Sequence, residues 1–235
     1  MSEITPVTIE LAIGHTDLRG KVHSRVTFGQ RINGKKMFEI DGDPQSSIST
    51  QYQDLVMRAA ITEFGELKMP VALTVLLNLD SIDREDLAEG FARLMNESAG
   101  ESRVEYLSET KVKLAYGYER NGLVYDVATF GTRLTGMDEV AADREKLEGL
   151  RRHCFLAGRQ VTRLSESKGE SVLDGPMSLE IFETLDAIDI GAIRAASEVW
   201  RNSFRRPGAR VPHIGRGAKR AAARGGDRLE RDSHS

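Results

Sequence analysis

Thr27-Phe28-Gly29-Gln30-Arg31-Ile32-Asn33-Gly34 recurs further along the chain as Thr129-Phe130-Gly131-Thr132-Arg133-Leu134-Thr135-Gly136. Upstream, Leu11-Ala12-Ile13-Gly14-His15 recurs as Leu114-Ala115-Tyr116-Gly117-Tyr118. Downstream, Pro70-Val71-Ala72-Leu73 answers Pro176-Met177-Ser178-Leu179, and Leu79-Asp80-Ser81-Ile82-Asp83 answers Leu185-Asp186-Ala187-Ile188-Asp189. Matches in one order with small length differences predict one module present in two tandem copies. The one-residue shift between the first pairs falls in a turn, Asp17 to Gly20 against Arg120-Asn121-Gly122, where a length change costs little. The expected organisation is a first module over 1–96, a linker over 97–110 at the small, polar stretch from Asn96 to Glu101, a diverged second module over 111–205 and a basic tail over 206–235.

Each copy reads as α+β. Val7 to Gly14 with Val22 to Phe28, and Val112 to Tyr118 with Leu123 to Phe130, alternate in polarity around a turn and predict β-hairpins. Asn121-Gly122 is a favoured two-residue turn because both positions tolerate positive φ. About three short helices are expected after each hairpin. In the first copy Thr50 would cap a helix whose stripe is Tyr52, Leu55, Val56, Ala59, Ala60 and Phe64. Its counterpart would carry Leu147, Leu150, Cys154, Ala157, Val161 and Leu164. Pro70 and Pro176 suit the first turn of the next helix. A last helix from Asp80 to Asp83 would bury Ile82, Leu87, Phe91 and Leu94, with Ile188, Ile193 and Trp200 in corresponding places.

Composition bounds the class. The chain has 235 residues, 40% of them apolar, enough to fill a core. No apolar run approaches the roughly 18 to 20 residues that span a bilayer, and Met1 to Glu10 does not read as a secretion signal, so a cytosolic protein is expected. A single cysteine, Cys154, excludes an internal disulfide framework and a multi-cysteine zinc site. The net charge of −3 is uneven: Arg205 to Ser235 carries nine basic and three acidic residues, a charge of +6 that leaves −9 for the rest. An acidic body argues against general nucleic-acid binding. The tail, rich in Arg, Gly and Ala, is expected to be disordered, and it lacks aromatic residues to stack on bases.

Several motifs approach known chemistry without reaching it. Gly29-Gln30-Arg31-Ile32-Asn33-Gly34-Lys35 matches seven positions of a phosphate-binding loop, but Lys36 stands where a Ser or Thr hydroxyl would meet Mg²⁺, and the second copy has Met137 in place of the lysine. Asp80, Asp83, Glu85 and Asp86 read as acids at a helix start, satisfying free N–H groups, rather than as a metal or acid-base pair. Cys154, next to His153, lies on an apolar stripe and reads as a packed thiol. His15, His23, His213 and His234 lack metal-ligand spacing. No catalytic, cofactor or metal residues are assigned.

The first copy resembles the tail assembly chaperones of tailed bacteriophages and prophages. The resemblance rests on Phe28-Gly29-x-Arg31-x-x-Gly34-Lys35, on Thr50-Gln51-Tyr52, on Ile61 to Gly65 with Pro70-Val71, and on Leu76-Leu77-x-Leu79-Asp80-x-Ile82-Asp83-Arg84-Glu85-Asp86-Leu87. It implies a non-catalytic accessory protein of the host bacterial cytoplasm, without cofactor. Such a protein holds the tape measure protein soluble while tail tube subunits assemble, and is absent from the virion. A second copy and a basic tail depart from the family's usual pattern. The alternatives are a structural tail or neck component of the virion, and a nucleic-acid-associated regulator acting through the tail, whose binding would weaken steeply with salt.

Overall fold

In the computed structural model, which describes residues 4–99 and 103–204, each half begins with an antiparallel hairpin. In the first, β1 (Val7–Thr16) pairs with β2 (Val22–Phe28) from Val7↔Phe28 to Thr16↔Val22, with a break in register between Glu10 and His15. In the second, β5 (Lys111–Arg120) pairs with β6 (Leu123–Phe130), and the register breaks between Lys113 and Tyr118. Both breaks centre on a glycine in the left-handed region, Gly14 at φ +79° and Gly117 at φ +72°. A Cβ at either would lie 2.6 Å from the facing strand's carbonyl oxygen, of His23 or Tyr125, so only glycine fits the bulge. The turn residues Asn121 and Gly122 both take positive φ, as expected of that pair.

After the first hairpin come α1 (Gly34–Asp41), a 3₁₀ turn over Pro44–Ser47, α2 (Ser49–Ala60), β3 (Ile61–Phe64), α3 (Leu73–Leu77) and α4 (Ser81–Ala99). The second half continues from β4 (Glu105–Ser108), β5 and β6 into α5 (Gly136–Arg144), α6 (Gly149–Gln160), β7 (Val161–Ser165), β8 (Val172–Asp174), α7 (Leu179–Thr184) and α8 (Ala187–Ser203). The protein is α+β, with a sheet ordered β1-β2-β3 and another ordered β4-β5-β6-β7-β8. The stretch expected as a linker holds the end of α4 and the edge strand β4. The expected tail, with His213 and His234, lies outside the described residues.

The three helical patterns expected in each half resolve differently. Phe64, Val161 and Leu164 are not helical: α2 and α6 stop at Ala60 and Gln160, and the chain turns straight into a third strand. There Ile61 pairs with Phe28 and Phe64 with Val26, while Val161 pairs with Phe130 and Leu164 with Ala128. A bulge at Thr62 and Thr162 lets residues three apart face one core, so the strand imitates the helical spacing. Each bulged threonine hydroxyl donates to a carbonyl of the central strand, Thr27 at 3.2 Å and Thr129 at 3.3 Å.

Other local expectations also change. The N-cap of α2 is Ile48, which forms no side-chain cap bond, and Thr50 lies inside the helix. Pro70, after a cis peptide bond, and Pro176 precede α3 and the Ser178 cap of α7 instead of entering their first turns. In α4 the inward positions are Asp83, Leu87, Gly90 and Leu94, so Ile82, one step off that stripe, is 56% exposed.

Phe28, Phe64, Leu76, Leu87 and Leu94 anchor the first core; Phe130, Leu164, Phe182, Leu185 and Ile193 anchor the second. Each such side chain contributes about 1.5 to 3 kcal/mol by leaving water. The halves meet through α1: Phe38 belongs to the second core, and Met37 packs against both.

Candidate functional site

The region that most clearly organises the molecule is the junction of the halves. Gly34 N–H donates to the Leu185 carbonyl at 2.8 Å, and Ala187 N–H donates to that of Ile32 at 2.9 Å, so 31–34 docks on the chain entering α8. A Cβ at Gly34 would collide with the Phe182 carbonyl oxygen, which explains the glycine. At the far end of α1, the Asp41 carboxylate accepts the Leu150 N–H at 2.7 Å. It thereby supplies the first turn of α6 with a cap that Glu148 does not provide. Arg31 places its guanidinium 3.7 Å from the ring centroid of Tyr116. Beside this contact lies a cleft of about 520 Å³ whose lining includes Arg31, Asn33, Tyr116, Glu119, Asp126 and Asp186.

The phosphate-loop look-alike ends in this junction. Gly29 and Gln30 N–H both go to the Ala60 carbonyl, Gly34 N–H goes to Leu185, and Lys36 N–H goes to the Asn33 side chain. These donors are turned toward protein acceptors and form no open cradle.

Of the clustered acids, Asp80 caps α4 by accepting the Ile82 N–H at 3.0 Å, and Asp186 caps α8 by accepting that of Ile188 at 2.9 Å. The capping role expected of Asp83 is overturned. Asp83 is fully buried and reaches from α4 into the β1 bulge, where it accepts Ile13 and Gly14 N–H at 3.0 and 2.7 Å. Asp189 does the same for β5, accepting Ala115, Tyr116 and Gly117 N–H at 2.6, 3.1 and 2.8 Å. The bulge turns strand N–H groups away from the ladder, and a helix carboxylate takes them. The signal was present in the sequence as a glycine in each hairpin and an aspartate three residues after each cap. Burial, opposed by those three bonds, pushes the Asp189 carboxyl up to about 6.

Cys154 is fully buried, and burial pushes its thiol up to about 12, which makes it inert as a nucleophile at neutral pH. His15 and His23 face each other across the first hairpin. The His23 ring is committed, with Nε2 3.3 Å from Asp17 and Nδ1 accepting the Glu66 N–H at 3.2 Å. Among the described residues no group of three or more His, Cys, Asp or Glu is arranged to hold a metal ion, and no helix is long and apolar enough to cross a membrane.

Large apolar side chains are exposed at both hairpin tips. Leu18 and Val22 stand out from the first, Leu123 and Val124 from the second, and Tyr106 and Leu107 lie exposed on the neighbouring edge strand. Comparison of the chain with protein-family models, with characterised proteins and with solved structures gave no match. The class rests on the coordinates: an α+β protein whose halves share an order of hairpin, two helices, return strand and two helices, to which the first adds a 3₁₀ turn and the second the strands β4 and β8.

Proposed function

We propose that the protein is a non-catalytic tail assembly chaperone of a tailed phage or prophage, acting in the host bacterial cytoplasm on the tape measure protein, the tail tube subunits or both. The sequence resemblance of the first copy supports the family. A duplicated ancestral module accounts for the repeated element order and for the paired aspartate clamps. The observation that carries the binding role is the pair of hairpin tips, each presenting apolar side chains to water in a body of high negative charge. A client with a long apolar stripe is gripped at two points, and linked weak contacts raise avidity by about 10² to 10⁴ where both engage together.

The test is affinity capture of the tagged chain from phage-producing cells, with and without nuclease, followed by mass spectrometry of eluate and purified virions. Tape measure or tube protein in the eluate, nuclease-resistant and lost in a Leu18→Asp, Leu123→Asp double variant, is the expected result. The chain itself is expected to be absent from virions. Its recovery in virions would assign it to the tail structure, and nuclease-sensitive capture would assign function to the basic tail.

A further inference from the structure

We infer that the second half carries a small-molecule site in the depression of about 380 Å³ between the start of α5 and the end of α8, and that its ligand is an adenine nucleotide. Cavities of about 300 to 1,000 Å³ hold ligands of this size. The lining brings together Arg133, Gly136, Gln160, Trp200, Arg201 and Phe204.

The chain itself holds the walls in place. Trp200 Nε1 donates to the Thr132 carbonyl at 3.1 Å, and the Trp200 and Phe204 rings meet edge to face with centroids 4.6 Å apart. The Arg133 guanidinium lies over the Phe204 ring, 3.8 Å from its centroid. Stacking occupies a face of the guanidinium and leaves the in-plane N–H donors for an anion. Arg201 is exposed and makes no ion pair among the described residues. Glu139, the acid in this lining, is paired with Arg152 at 2.6 Å. At the first two positions of α5, Gly136 and Met137 N–H find no acceptor among the described residues, and a Cβ at Gly136 would meet nothing within 4 Å. Two guanidinium groups and an open helix start thus make a local anion site on an acidic body.

An anion alone does not account for Gln160. This residue is 1% exposed, and its side-chain Oε1 has no hydrogen-bond partner among the described residues. The frame does not require a carboxamide there. In the first half Ala60 takes the place, its carbonyl accepting Gly29 and Gln30 N–H as that of Gln160 accepts Gly131 and Thr132 N–H. A buried acceptor without a donor is unfavourable, so Gln160 calls for a ligand that donates. Anion, flat ring and amino donor coincide in an adenine nucleotide. Its phosphate takes Arg133, Arg201 and the α5 N–H groups, and its base lies against Trp200 and Phe204. Its amino group donates to Gln160 Oε1, half of the pairing by which glutamine reads adenine.

Trp200 is the only tryptophan of the chain, so its fluorescence reports on this cleft. AMP is expected to quench it, and calorimetry to count one site per full-length chain. Adenosine, without the phosphate, should bind about ten- to hundredfold more weakly, and purine riboside monophosphate, without the amino group, about three- to tenfold more weakly. Gln160→Ala reproduces the first half's residue and should keep the native circular dichroism spectrum while binding AMP and purine riboside monophosphate equally. Arg201→Ala, an exposed change, should narrow the gap between AMP and adenosine. A native chain that AMP leaves unaffected up to millimolar concentration overturns the inference. So does inorganic phosphate that binds as tightly as AMP, which would make the cleft an adventitious ion site only, or a preference for the amino group that survives in Gln160→Ala. No client takes part in these readouts, so they bear on this site independently of the chaperone reading.

Discussion

Asp54 and Arg84 in the first half occupy the places that Cys154 and Ile190 hold in the second. In one core α2 and α4 are joined by a carboxylate that is 1% exposed and accepts from the guanidinium at 2.8 and 3.0 Å. In the other, a thiol and an isoleucine, both buried, belong to a continuous apolar cluster. One frame accepts either solution because each is internally matched: the ion pair satisfies its own charge, and the apolar pair has none to satisfy. What the frame does not accept is half of each.

That contrast sets the largest expected effect. Asp54→Ala leaves the Arg84 guanidinium without its carboxylate in a partly buried site, and stability is expected to fall by about 3 to 5 kcal/mol, nearer the lower figure because Arg84 keeps some access to water. Transplanting the second half's solution, Asp54→Cys with Arg84→Ile, should recover most of that loss, since replacing a buried pair with packed apolar groups is often neutral or favourable. Urea unfolding midpoints of the three chains measure both steps. A double variant no more stable than the single one would break the equivalence of the two sites.

The bulge clamps give the next effect, and they differ in degree. Asp83 takes two strand N–H groups and Asp189 takes three, yet burial wins at Asp189 and holds its pKa at about 6, above the ordinary 3.8. A carboxyl whose folded pKa is raised binds its proton more tightly in the native state. Its contribution is therefore complete below 3.8 and lost as pH climbs through about 6. The shift corresponds to about 3 kcal/mol at most. Stability is expected to decline across that window, and Asp189→Asn, which cannot titrate, to flatten the decline while lowering stability at every pH. Denaturation series at closely spaced pH values decide it; an unchanged slope in Asp189→Asn would place the titration elsewhere.

The sequence made the α+β class, the hairpins, the Asn121-Gly122 turn, the packed Cys154 and the first-position caps legible, because each depends on neighbours within a few residues. The third strands were not legible: Ile61 with Phe64, and Val161 with Leu164, have helical spacing, and only the bulge opposite β2 and β6 shows why a strand carries it. The clamps were half legible. An aspartate at the fourth place of the last helix was visible, but its partners lie about 70 residues away, and proximity to the helix start made capping the obvious reading. The junction was invisible for a related reason. Met37 and Phe38 are neighbours in the sequence, and nothing local reveals that Phe38 belongs to the second core while Met37 packs against both.

The smallest effect separates the two true caps. Asp80 is exposed, and Asp80→Ala should cost about 1 kcal/mol, the loss of one N–H acceptor at the start of α4. Asp186 makes the equivalent bond but lines the junction cleft, where its charge helps to raise the pKa of Asp189. Asp186→Ala should therefore lose a similar cap and also move the Asp189 transition toward lower pH. The two cap variants, unfolded side by side at pH 5 and pH 7, should differ more at one pH than at the other. Equal losses at both would mean that Asp186 and Asp189 at the start of α8 do not sense each other. The halves would then differ only in what they bury, not in how their helix starts are coupled to the bulge beneath.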